Sequence, residues 1–160
     1  MSSAAEPTTC SDPRRTVRRV ESLRSFDADA FRRIRIERGL SHDALSRLTK
    51  RTRPNLISWE NGRFQPTPRI LVILAEALQV DPFELLTVNE KTATLPDLRA
   101  RAGLDRGEVA ARLGVHRITY LRLEQGRAPL RTETIPKLAA LFDTTTTAIV
   151  DAYQRAKPAQ

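Results

Sequence analysis

A single cysteine, Cys10, stands in the 160-residue chain, so no disulfide can close within it and no cysteine cluster can hold zinc. Histidine is almost as scarce. His42 and His116 lie far apart, and neither has a second histidine or a cysteine at zinc-ligand spacing. No glycine-rich phosphate loop is present and no zinc-spaced His and Cys set, which leaves nucleotide-dependent and metal-assisted chemistry without residues to carry it. We therefore expect no enzyme, no metal, no cofactor and no small-molecule ligand. Long apolar runs are missing too. No stretch approaches the 18 or so apolar residues of a membrane span, and the N-terminal residues lack an apolar signal-peptide core. The expectation is a cytoplasmic, nucleoid-associated protein with no membrane partner.

Lysine is the scarce cation: of 27 basic residues only four are lysines, set against 19 acidic residues for a formal charge of +8. Arginine on this scale favours phosphate-bearing partners, whose oxygens its planar fork grips with two hydrogen bonds. The charge is unevenly placed. Residues 1–29 hold five basic and five acidic side chains, whereas residues 30–90 hold ten against seven and residues 91–160 twelve against seven. Positive charge thus resides beyond the N-terminal stretch.

A repeat explains this distribution. Gly39 to Gly62 reads GLSHDALSRLTKRTRPNLISWENG, and Gly103 to Gly126 reads GLDRGEVAARLGVHRITYLRLEQG, both 24 residues from glycine to glycine at an offset of 64. The register persists outside these windows, pairing Arg35 with Arg99, Arg63 with Arg127, Leu74 with Leu138, Ala75 with Ala139 and Leu85 with Ile149. One unit is used twice, giving two domains of about 60 residues, each near the lower size limit for a self-sufficient core.

Within each unit the opening glycine suits a helix C-terminus, and Ser41 or Asp105 caps a new helix. Leu45, Leu48 and Thr49, and Val109, Ala110 and Leu113, recur at helical spacing. A turn follows, Lys50-Arg51-Thr52 or Gly114-Val115-His116, then a short segment ending in Glu-x-Gly. Two short helices joined by such a turn form a helix-turn-helix, whose second helix can enter the major groove of DNA. Thr52 and His116 are expected to cap the second helices, with Pro54 tolerated in the first turn of its helix. Leu56 and Trp59, and Tyr120 and Leu123, should face inward, leaving Arg53, Asn55, Ser58, Arg117, Ile118 and Arg122 outward to meet bases, the arginines by two hydrogen bonds to guanine.

Both copies resemble the lambda-repressor/Cro (XRE) family of helix-turn-helix domains over about residues 29–88 and 93–152. The resemblance implies an all-α fold of two tandem five-helix domains. It implies a buried ion pair in each copy, Arg35 with Glu60 and Arg99 with Glu124, and backbone-phosphate contacts from His42, Asn61 and Arg63 and from Arg106, Gln125 and Arg127. Lys50 departs from the family, which carries glycine there, as do His42 and Arg106, which replace glutamine.

Around the repeats, Asp27 or Asp29 caps a first helix through Phe31, Ile34 and Ile36. Thr67 caps a helix bearing Ile70, Leu71, Leu74 and Leu78, and Asp81-Pro82 begins a short helix to about Leu86. Thr87 to Ala93 is a seven-residue connection. Pro96 lies in the opening turn of the helix seated by Leu95 and Leu98, and Pro136 should loosen the start of a helix from about Glu133. Residues 1–28 have too few large apolar groups to repay ordering and are expected to form a disordered basic arm with Arg14, Arg15, Arg18 and Arg19; residues 153–160 are expected to be a polar tail.

The resemblance implies a sequence-specific double-stranded DNA-binding transcriptional regulator of repressor type, similar to phage immunity repressors. A monomer carrying two unlike readers is the expected form, against a homodimer through the last helix around Ile149, Val150 and Tyr153. The alternative is a protein-interaction adaptor or antitoxin-like protein in which one or both domains serve as an interface.

Overall fold

Helix starts follow the capping residues of the sequence at nearly every position. In this computed structural model, which describes residues 23–159, the Asp27 carboxylate accepts from the Ala30 amide and opens α1, Ala28–Glu37. Ser41 opens α2, His42–Thr49, by accepting from Ala44. After α3, Arg53–Glu60, Thr67 opens α4, Pro68–Leu78. Asp81 then caps a 3₁₀ turn, Pro82–Leu85, with Glu84 reaching back to the Asp81 amide. In the second half Asp97 binds the Thr94 amide at 2.9 Å ahead of α5, Leu95–Arg101. A reciprocal Asp105/Glu108 box opens α6, Arg106–Leu113, and α7 spans Arg117–Glu124. α8, Thr134–Leu141, and α9, Thr146–Ala156, complete the order, the latter capped by Thr145. The described residues are all-helical apart from one isolated bridge between Phe26 and Leu86. Each half has five elements, the fifth of the first half being a single 3₁₀ turn.

Each half has its own core. Phe31, Leu45, Leu56, Trp59, Leu71 and Leu74 centre the first, and Leu95, Val109, Tyr120, Leu138, Phe142 and Ile149 the second. Complete burial of such side chains stabilises each by about 1.5–3 kcal/mol. Phe83 packs against both clusters, and Ala100 of α5 belongs to the first.

Several expectations need correction. Leu23 and Phe26, assigned to the arm, are buried in the first core, and the Thr87 amide donates to the Ser25 carbonyl, so the folded part begins before residue 29. The four arm arginines and Cys10 lie outside the described residues. At the other end α9 continues to Ala156 with Tyr153 buried and its hydroxyl donating to the Ala128 carbonyl at 2.8 Å, so the helix takes in part of the expected tail. Ile36 and Leu48 are exposed despite their helical spacing. Thr52 occupies the cap position without a side-chain bond, whereas His116 Nδ1 accepts from the Ile118 amide at 3.3 Å. α8 starts at Thr134 with no side-chain cap, Glu133 itself being helical and Pro136 lying in the first turn.

Lys50 takes the left-handed conformation (φ 53°) that Gly114 takes (φ 69°) at the matching turn. A side chain there costs about 1–2 kcal/mol, and glycine returns about 0.5–1 kcal/mol as chain entropy. Lys50→Gly should therefore raise the thermal midpoint slightly; a lowered midpoint would contradict strain at this turn.

Candidate nucleic-acid interface

Both helix-turn-helix units are built on a buried carboxylate. In the second, Arg99 Nε donates to Glu124 Oε1 and Arg106 Nε to Glu124 Oε2, each at 2.6 Å, and Arg99 Nη1 donates to the Leu104 carbonyl at 2.8 Å. The side chains of Arg99 and Glu124 are 2% and 1% exposed. In the first, Glu60 receives Arg35 on both oxygens and His42 Nε2, at 2.9 Å, on Oε2, and Arg35 also binds the Leu40 carbonyl. Burial pushes the Glu60 carboxyl up, but hydrogen bonds from Arg35 and His42 and their charges outweigh it, and the carboxyl stays below its ordinary range. Each carboxylate, from the last residue of α3 or α7, thus ties that helix to the first helix of its half and to the first residue of α2 or α6.

The expected ion pairs Arg35–Glu60 and Arg99–Glu124 are both present. What the spacing did not reveal is a third member. His42 and Arg106, expected to contact backbone phosphates, are joined to the same glutamates and are only partly exposed. The signal was available: both lie 18 residues before Glu-x-Gly, and both carry N–H donors.

On this frame α3 and α7 turn Leu56 and Trp59, and Tyr120 and Leu123, into their cores. Burial first, and the Glu124 charge next, push the ionisation of the Tyr120 hydroxyl far up, so this phenol is neutral. Arg53 and Asn55 are exposed on α3 while Ser58 is half-buried; Arg117, Ile118 and Arg122 are exposed on α7. Just past each helix Asn61 and Arg63, and Gln125 and Arg127, are exposed as well. Arg53 and Arg117 occupy the same position, the first residue of their helices. Their neighbourhoods differ. Asp43 Oδ1 lies 3.7 Å from Arg53 Nη1, an exposed pair of small energetic weight, whereas Gly107 stands at the matching place in the second unit. Exposed Phe64 follows Arg63.

This geometry defines a class: two short helix pairs, each presenting an arginine-led helix outward from a core locked by a buried carboxylate. A helix-turn-helix family matches residues 31–85, and a helix-turn-helix domain family matches residues 92–152. The chain belongs to the lambda-repressor-like (XRE) helix-turn-helix proteins, carries two such domains in tandem, and by class is a DNA-binding regulator. No curated protein and no solved structure matches it. Among the described residues no helix is long and apolar enough to cross a membrane.

Proposed function

We propose that the chain is a sequence-specific repressor of transcription that grips double-stranded DNA with both α3 and α7, acting as a monomer in the cytoplasm. The carrying observation is the matched presentation of Arg53 and Arg117 at the first position of two outward helices, each on its own locked frame. Arg53, Asn55, Ser58, Arg117, Ile118 and Arg122 are the assigned base readers. Asn61, Arg63, Gln125 and Arg127, with the partly exposed His42 and Arg106, are the assigned phosphate contacts. The two readers differ, Arg53-Pro54-Asn55 against Arg117-Ile118-Thr119, so they select two unlike half-sites. The homodimer reading loses support because Ile149 and Tyr153 are spent in the chain's own core.

Alanine at Arg53 or Arg117 should each weaken binding to the selected site by about 1–3 kcal/mol and relax preference at distinct base positions, leaving random DNA little affected. Equal losses on random DNA would reassign these arginines to the backbone. Alanine at Arg63 or Arg127 should instead weaken binding to every sequence and reduce the salt slope by about one for each phosphate lost; a slope unchanged in both variants would remove them from the interface. Binding curves at several salt concentrations measure both.

An adaptor-like reading of the first domain has one observation behind it. The exposed Ile36, Leu48 and Phe64 all lie in that half. It requires that Arg53→Ala leave DNA affinity unchanged while Arg117→Ala abolishes specificity.

A further inference from the structure

The two domains are joined by a contact that is not reciprocated. From the first domain come Ser25, α4 and the 3₁₀ turn; from the second come α5, its glycine cap and the start of α6. A Cβ on Gly103 would meet Val72 Cγ2 at 3.0 Å. Arg69 pairs with Glu108, and Ser25 Oγ donates to Asp97 at 2.7 Å. Arg101 reaches Asp81 at 3.4 Å and lies over the Phe83 ring, 5.4 Å from its centroid. The fourth helix of one copy therefore docks on the first helix of the next. The counterparts in the repeat make no such contact. Ile36, which matches the fully buried Ala100, is 58% exposed, and a Cβ on Gly39, which matches Gly103, would meet nothing within 4 Å. The pair matching Arg69 and Glu108 is Glu133 and Ala44, which cannot form an ion pair.

Two units related by a two-fold axis must make every contact twice, residue i on j and j on i. These do not, so no dyad relates α3 to α7. The half-sites of a palindrome are related by a dyad, and two protein units that dock on them alike must share it. Half-sites in the same orientation are related by rotation and translation along the duplex, with no dyad. We infer that the chain reads two half-sites in the same orientation, a direct and unlike pair, at a spacing fixed by the α4–α5 contact. This inference rests on the reading that both outward helices touch DNA.

The test uses the full chain. Bound duplexes are selected from a random pool, and the base positions contacted by each reader are mapped by missing-contact probing of the native chain and of Arg53→Ala and Arg117→Ala. Because both arginines hold the same helix position, the positions lost in the two variants should fall on the same strand, with one chain per duplex. Inverting one half-site in place, or inserting about half a helical turn of DNA between the two, should lower affinity by about a hundredfold, the order of gain that linkage of two modules supplies. Lost positions on opposite strands would overturn the inference, as would two chains on a palindrome or undiminished affinity for the inverted or spaced duplex. Enrichment of a single half-site insensitive to Arg117→Ala would overturn it while leaving DNA binding intact. No enrichment at all would overturn the DNA-binding reading and the inference with it.

Discussion

Replacing Arg99 with methionine should lower the stability of the chain by about 3–5 kcal/mol, the usual result of stripping one partner from a buried ion pair. Methionine keeps the apolar stem but removes the donor from Glu124 Oε1 and from the Leu104 carbonyl, in a site where both charged side chains are almost fully enclosed. Arg106 remains on the other carboxylate oxygen. The same change at Arg35 should be milder, because that pair is 11% and 6% exposed and water can reach it. Urea unfolding of the two variants measures the difference. A loss below about 1 kcal/mol for Arg99→Met, the range of solvent-exposed pairs, would show that the carboxylate is not the lock described above.

Alanine at Gly126 should destabilise the chain by about 2–5 kcal/mol, combining left-handed strain of about 1–2 kcal/mol with overpacking of about 1–3 kcal/mol. Gly126 has φ 68°, and a Cβ there would lie 2.7 Å from Lys157 Cα, 2.8 Å from its nitrogen and 2.9 Å from the Ala156 carbonyl oxygen. These are backbone atoms, which cannot swing aside as a side-chain tip can. Gly62 supplies an internal control, with nearly the same φ and nothing within 4 Å of the added carbon. Gly62→Ala should show only the strain, so the difference between the two variants isolates the clash. Equal losses would mean that the end of α9 moves away at little cost.

Much of this was legible because a repeat carries its own check. The family resemblance implied the pairs Arg35 with Glu60 and Arg99 with Glu124, and both are present at the same separation. The inward pairs Leu56–Trp59 and Tyr120–Leu123 followed from helical spacing together with the family resemblance, which decided Trp59 against a base-stacking role. What escaped depended on contacts distant in sequence. Leu23 and Phe26 sit among polar and charged residues, and their segment is held by backbone bonds from the Thr87 amide to Ser25 and from the Asp27 amide to Leu85, which no local pattern announces. Ile36 fits an apolar stripe yet faces water, because the neighbouring domain docks on Ala100 rather than on its counterpart. The exchange of a large side chain for a small one at matched positions was the available sign. Thr52 holds the cap position as its place in the sequence implied, but its side chain makes no cap bond, a matter of geometry that position does not show.

Partly buried Phe83 packs against both cores, and that shared ring changes what a mutation can do. A domain of about 60 residues is marginal by itself, so two such domains leaning on one aromatic side chain draw on a common reserve of stability. Damage to packing around Leu138 or Phe142 reaches the first reader without touching it, and a gain in either core is inherited by both.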